Sequence, residues 1–413
     1  MKLVNILLIT TFLLISISCS IKRIATNKVV FPSISEPVQI TTDEKEHFLA
    51  SYYGINSFDR SERYVTVLET NIKLKLPDEH DAATLGLVDL ETNRFIPLAQ
   101  TRAWNFQQGC MAHWLGTSPD SLIIYNDYRN GKFLSVIINV YTRKEIKTIP
   151  YPVCAVSPDG KEALSINFSR LRLFRPDYGY GGNGQNAQPE VHFPSDDGLF
   201  LINLETGAAR LLISYDQIIK SIPNARSDLP AWINHTLFSR KGSKILLLIR
   251  QKNDQGWITN SLTINKDGTN LQLCFPDDWG GSHFDWLNDN ELMVTAKFEG
   301  KQFSHILFTA GSNNYKRLGN GTIDFDAHGT FSPDQKWMVT DTYPDAGSRE
   351  QKILLMNVMT QSVISLGRFK EPEEFSGLWR CDLHCRWSPK GDIIGFNSTQ
   401  TGSRQVYILR MKF

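Results

Sequence analysis

The stretch Phe331-Ser-Pro-Asp-Gln-Lys-Trp-Met-Val339 decides the fold. It runs from an aromatic residue through Ser-Pro and a polar turn into an apolar segment. The same grammar recurs in Val156-Ser-Pro-Asp-Gly-Lys-Glu-Ala-Leu164, Phe238-Ser-Arg-Lys-Gly-Ser-Lys-Ile-Leu246 and Trp387-Ser-Pro-Lys-Gly-Asp-Ile-Ile-Gly395. A degenerate copy is Trp286-Leu-Asn-Asp-Asn-Glu-Leu-Met-Val294. The Asp-Gly and Lys-Gly pairs supply the positive-φ residues that a tight hairpin needs. The flanks alternate and carry β-branched residues, as strands do. A second phrase lies between these hairpins: Leu87-Val-Asp-Leu-Glu-Thr-Asn93, Leu201-Ile-Asn-Leu-Glu-Thr-Gly207 and Leu355-Met-Asn-Val-Met-Thr-Gln361. Each is a strand ending in a polar turn before another strand. One inner hairpin plus one such pair makes four antiparallel strands, a propeller blade.

Inner hairpins begin near His47, Met111, Val153, His235, His283, His328 and His384, which predicts an all-β, seven-bladed propeller of four-stranded antiparallel blades. The interval of 82 residues between Val153 and His235 is long and holds Tyr178-Gly-Tyr-Gly-Gly-Asn-Gly184 and a polar run to Asp197. It reads as an inserted loop, and such loops are usually functional or mobile. The last blade has too little chain for four strands, so residues 26–40 are expected to close the ring and remove an exposed edge. Only Tyr215 to Ser221 reads as a helix.

Composition excludes other classes. The 413 residues carry 44 Lys plus Arg against 43 Asp plus Glu, a formal charge of +1, so no polycationic surface for nucleic acid exists. Hydrophobic residues at 41% are enough for a core and argue against wholesale disorder. Residues 1–19 have a short basic end, the apolar run Ile6 to Ile15, and Ser16-Ile-Ser-Cys19. This is expected to be a lipoprotein-type signal ending at Cys19, with residues 20–40 a linker and 41–413 the propeller. The expected location is the bacterial cell envelope, on the outer membrane or periplasmic face, held by a lipid at Cys19. Five further cysteines (Cys110, Cys154, Cys274, Cys381, Cys385) lack a zinc-site spacing and are expected to be mostly buried thiols.

Four histidines share one position of the repeat: His235, His283, His328 and His384 each stand three residues before the aromatic that opens a hairpin. The first strand of a blade lies nearest the axis, so these imidazoles should converge and could bind a divalent metal or hold a proton-transfer base. His47 is a candidate fifth member. His80, His113, His192 and His305 are out of register. Polar and aromatic residues at the corresponding blade ends are Arg102, Trp104, Gln107, Gln108, Arg170, Arg172, Tyr343, Trp379, Arg380, Asp382 and Arg404. Arginine offers a planar fork for carboxylates, and Trp or Tyr a face for sugar rings.

The phrases His328-Gly-Thr-Phe-Ser-Pro-Asp334, Asp341-Thr-Tyr-Pro344, and Asp382-Leu-His-Cys-Arg-Trp-Ser-Pro-Lys-Gly391 through Gly402-Ser-Arg-Gln-Val-Tyr407 resemble the oligogalacturonate lyase group of propellers. The resemblance is strongest from about His235 onward, whereas the Ser-Pro-Asp-Gly phrase is shared with TolB-like propellers. It implies a manganese-type ion in the axial cleft and metal-assisted β-elimination on uronic-acid-containing oligosaccharides. It places His283 and His384 as metal ligands, with His328 and Asp382 as further ones, and His235 as the base. An assisting arginine is implied, for which Arg170 and Arg172 are the candidates. Arg102, Trp104, Gln107, Gln108, Tyr343, Trp379, Arg380 and Arg404 would bind substrate. The family's Gln-x-x-His-x-His cluster, aligned on His384, meets Asp382 at its first His and Trp379 at its Gln. A carboxylate ligates a divalent ion and an indole does not. The alternative is a non-catalytic carbohydrate- or protein-binding propeller lipoprotein, since one fold hosts both.

Overall fold

The computed structural model describes residues 30–413 apart from 43–44, 224 and 277–278. The stretch expected to be a signal peptide, and the anchor expected at Cys19, lie outside the described residues. Phe31–Phe413 form one unit of seven antiparallel sheets. Blade 1 comprises Glu46–Leu49, Tyr64–Thr70, Ala83–Asp89 and Arg94–Thr101. Blade 2 comprises His113–Trp114, Leu122–Arg129, Lys132–Asn139 and Glu145–Ile149. Blade 3 comprises Ala155–Val156, Glu162–Ser165, Gly198–Asn203 and Ala209–Ser214. Blade 4 comprises Trp232–Phe238, Lys244–Asn253, Gly256–Asn265 and Gln272–Leu273. Blade 5 comprises Phe284–Trp286, Glu291–Phe298, Gln302–Thr309 and Tyr315–Arg317. Blade 6 comprises Thr330–Phe331, Trp337–Asp341, Glu350–Asn357 and Val363–Lys370. Blade 7 is built from Arg386–Trp387, Ile393–Ser398 and Gln405–Lys412. Its outer edge is covered by Ser33–Ile34 and Val38–Gln39, both antiparallel to Gln405–Lys412. The N-terminal segment is therefore spliced onto the last blade, and that edge is paired.

The repeated serine has a visible task. In blades 3, 4, 6 and 7 the hydroxyls of Ser157, Ser239, Ser332 and Ser388 accept the backbone N–H five residues on, at 3.0, 3.1, 3.0 and 3.1 Å. This ties each inner turn shut. The left-handed turn position is Gly160, Gly242 and Gly391 in three of these, and Gln335, at φ 63°, in the fourth. In the second phrase, the side chains of Asp89, Asn203 and Asn357 accept backbone N–H groups of the following turn.

The long insertion differs from the expected loop. It opens with an α-helix, Phe168–Phe174, capped by the Asn167 side chain on the N–H of Arg170. Phe168 and Leu171, three apart, form its buried face. The second helix, Tyr215–Lys220, has a capping box of Ser214 and Gln217. Among the described residues no helix is long and apolar enough to cross a membrane. The five described cysteines are buried and unpaired.

Two histidines outside the hub carry a stability consequence. Burial drives His113 and His305 to about 4. The unfolded chain, with ordinary imidazoles near 6.5, binds more protons between those values. Stability is therefore present above about pH 6.5 and lost as pH falls toward 4, by about 3 kcal/mol for each group. Urea midpoints measured across this window should fall steadily, and His305→Gln should flatten the fall.

Candidate active site at the propeller hub

Each inner strand starts at the axis, so the residue three before its aromatic faces the residues at the same position in neighbouring blades. Blade 2 places Met111 there and blades 4 to 7 place His235, His283, His328 and His384, all buried, whereas Val153 of blade 3 packs with Leu115, Ile124 and Ile149 instead. His384 and Met111 share a left-handed backbone, φ 51° in both, which Val153, His235, His283 and His328 do not adopt. The ring of His283 lies 4.0 Å from that of His328, which lies 4.4 Å from His384. His235 joins through Tyr52, stacked on it at 4.3 Å, while Tyr52 meets His384 edge-on at 5.2 Å. Tyr53 fills the space between His283, His328 and His384.

Three of these groups form a candidate metal centre. His328, Asp382 and His384 each offer a ligand atom within 4.8 Å of the others. His328 Nε2, His384 Nε2 and Asp382 Oδ1 are buried and have no hydrogen-bond partner. An unsatisfied buried polar atom costs about 1–3 kcal/mol, and three together are what a cation would satisfy. The second layer supports this. Asp341 accepts from His328 Nδ1 at 2.9 Å and from the His384 backbone N–H at 3.0 Å. That fixes the His328 tautomer and leaves its Nε2 lone pair inward. Burial would lower His328, but Asp341 outweighs it and holds its pKa above the ordinary value; a cation at Nε2 would take the place of the proton that Asp341 favours there. Burial, with His328 and Arg386 nearby, keeps His384 well below and therefore neutral. The donor set of two imidazoles and one carboxylate fits a divalent ion.

His283 stands beside the trio. Its Nδ1 is 2.9 Å from Asp326, and its Nε2 is 3.4 Å from the Tyr343 hydroxyl. His235 Nε2 receives the Asn234 amide at 2.5 Å, and burial with the Arg250 charge lowers its pKa well below the ordinary value. A shell of charge rims the hub. Arg380 donates to Asp382 at 3.0 Å, to Asp177 at 3.3 Å and to the Tyr178 hydroxyl at 3.3 Å. Tyr178, from the insertion, meets His235 edge-on at 5.1 Å. Gln107 and Gln108 reach this wall through the carbonyls of Arg380, at 3.4 Å, and Tyr178, at 2.9 Å.

Other residues singled out in the sequence have different work. Arg170 is fully buried and spends all five N–H donors on the carbonyls of Ala187, Gln188, Val191, His192 and Ala231. It clamps the insertion and has no donor left for a substrate, so its assignment as the assisting arginine is withdrawn. Arg172 likewise binds the carbonyls of Pro176 and Pro77. Trp104 is core, its indole bonded to the Asp81 carbonyl, and Arg102 is exposed with its backbone N–H on Asp127. Trp379 donates to the Glu374 carbonyl at 3.1 Å. His47 turns away from the hub, with Nε2 3.3 Å from Glu69 and its ring against Phe95.

Arg404 is also structural. It is buried against Glu46 at 3.1 Å, donates to the carbonyls of Lys73 and Trp379, and lies 3.8 Å over the Phe106 ring. It joins blade 7 to blade 1. Arg404→Ala leaves Glu46 buried without its cation and should cost about 3–5 kcal/mol, read from urea unfolding. An unchanged midpoint would refute that role.

Sequence reasoning missed Asp326, Tyr52, Tyr53, Asp177, Tyr178 and Arg250 as hub residues and gave Asp341 no role of its own. One signal was available: Asp326-Ala-His328 and Asp382-Leu-His384 repeat an Asp-x-His phrase in consecutive blades. Nothing local marks the others, because they reach the hub from strand ends and from the insertion.

No protein-family model matches the chain, and no curated protein matches it. Solved structures do. An oligogalacturonate lyase from Vibrio parahaemolyticus superposes with a TM-score of 0.65 at 12% identity, covering 92% of this chain and 97% of that one. An oligogalacturonate lyase in complex with manganese gives 0.64 at 13% identity over the same shares. The tricorn protease gives 0.51 at 9% identity, over 90% of this chain and 35% of that one. At these identities the likeness is one of fold: the chain is a seven-bladed β-propeller similar over nearly its whole length to oligogalacturonate lyase structures.

Proposed function

We propose that the hub performs a metal-assisted β-elimination on uronic-acid-containing oligosaccharides. The observation that carries this reading is the trio of unpartnered buried atoms on His328, Asp382 and His384, beside an imidazole kept neutral by its surroundings. The trio would hold a divalent ion, which the manganese complex of a similarly folded lyase suggests is manganese. Bound there, such an ion supplies Lewis acidity toward the substrate carboxylate, lowering the cost of charge next to the acidic carbon. The chain's own residues do the rest. Arg380, anchored by Asp177 and Asp382, presents positive charge at the wall of the hub. His235, neutral and stacked on Tyr52, takes the C5 proton at Nε2 once substrate displaces the Asn234 amide. The C5–H electron pair becomes the C4–C5 double bond as the C4–oxygen bond breaks, and the departing sugar oxygen leaves as a hydroxyl carrying the proton that His235 gives up, so no water is added. The lipid anchor at Cys19 and residence in the cell envelope belong to the same proposal.

The test is direct. Saturated and unsaturated uronate oligomers are offered with and without manganese, and absorbance from a new C4–C5 double bond is followed. Growth of that signal supports the reading. Tight binding with no signal from any uronate would replace it with the binding-only reading.

A further inference from the structure

The strand Lys244–Asn253 of blade 4 and the strand Glu291–Phe298 of blade 5 border a groove of about 530 Å³. That size is within the range of small-ligand sites, roughly 300–1,000 Å³. Arg250 lines it. Arg250 is only 9% exposed, yet among the described residues its guanidinium makes no ion pair and no hydrogen bond, its Nε is buried and unpartnered, and its side chain meets only the Trp257 ring, at 5.9 Å. The buried arginines Arg170 and Arg404 reach carbonyls or a carboxylate, and Arg386, which also lacks an anion and leaves Nη2 unpartnered, still donates to the oxygens of Ser51, Ser57 and His384, so Arg250 differs from all three in having no hydrogen-bonded side-chain partner. A buried guanidinium without an anion is costly, and burial with Arg175 nearby pushes its pKa down to about 10. It is waiting for a negative group.

The rest of the groove narrows what that group belongs to. Trp257, 47% exposed, stands on one wall, with Arg175 and Lys252 packed over its ring at 4.7 and 4.9 Å. Trp279 and the exposed Lys297 stand on the other side. The acid among its described lining residues, Asp326, is already engaged with His283. Aromatic surface edged by cations suits a ring that carries a carboxylate. The groove and the hub share one residue. Asp326 lines the groove and holds His283, and the Arg250 charge is felt at His235.

We infer that this groove is a second sugar subsite, in which Arg250 forks the carboxylate of the residue adjoining the one at the hub, with Lys297 as the outer cation. The inference rests on the acidic-oligosaccharide reading above and adds where the chain runs and why a single sugar is a poor ligand.

The test is equilibrium calorimetry on the full chain treated with chelator, so that no turnover occurs. The probes are galacturonate, its saturated trisaccharide, and the same trisaccharide with its carboxyls reduced to alcohols. The trisaccharide should bind most tightly. Arg250→Gln should weaken it about tenfold or more, the worth of one charge-assisted contact, and leave the monosaccharide unchanged. Lys297→Glu, an exposed substitution that does not threaten folding, should act in the same direction. The reduced trisaccharide should bind no better than the monosaccharide. Equal trisaccharide binding by wild type and both variants overturns the subsite, as does no binding at all, or an equal loss for the monosaccharide. If the subsite behaves as expected but added manganese yields no unsaturated product, the lyase reading fails and the groove stands. If product forms and is indifferent to both substitutions, the reverse holds.

Discussion

Replacing His384 with alanine is expected to abolish tight binding of the divalent ion proposed for the hub. The substitution removes one of two imidazoles from a three-residue donor set. Loss of a supporting residue around a metal typically costs about 10–100-fold in affinity, so loss of a ligand should cost about 100-fold or more. Metal analysis of the purified variant, with a manganese titration of the stripped protein, measures this. Asp341→Asn is the informative companion. Asp341 touches both His328 Nδ1 and the His384 backbone, so its substitution should weaken the metal by about 10–100-fold without removing a ligand. His80→Ala, at an exposed position far from the repeat register, should change nothing. Full occupancy in the His384 variant would mean that the three unpartnered atoms are not a metal centre.

His235→Gln carries the second large effect. Glutamine keeps much of the shape against Tyr52 and cannot take a proton. General-base catalysis contributes about 10²–10⁴-fold, so kcat should fall by that factor while bound metal and KM stay near their wild-type values. A fall in metal content would instead make His235 a ligand, and unchanged kcat would remove it from the chemistry. The pH profile gives a further check. His235 lies below the ordinary imidazole value, because burial and the charge of Arg250 both disfavour its protonated form. The acid limb of kcat/KM should therefore lie below about pH 6.5. Arg250→Gln removes a neighbouring positive charge, raises the base and moves that limb to higher pH.

The repeated turns were readable because their cause is local. Ser332 closes its own hairpin through the N–H of Trp337, and each Asn or Asp of the second phrase caps the turn that follows it. Such signals survive in a linear text, and hairpin starts that recur seven times along the chain imply a ring. The imidazole cluster was readable for a related reason: positions equivalent in the repeat become equivalent about the axis. The helix Phe168–Phe174 was not readable, because seven residues carry too little periodicity and its stability comes from packing Phe168 and Leu171 onto the blade.

The arginines mark the boundary. Arg170, Arg250, Arg380 and Arg404 look alike in the chain, and each is compatible with holding a carboxylate. Folding gives Arg170 five carbonyls, Arg404 a buried glutamate, Arg380 two aspartates, and Arg250 none of these. Hydrophobic alternation and turn chemistry act between neighbours along the chain, so the residue order alone was enough to specify blades, their number and the four in-register histidines at the axis. Which polar groups are satisfied and which are left facing a cavity depends on atoms brought together from distant blades. That is a matter of desolvation and direction in space, and it took the folded ring to resolve it.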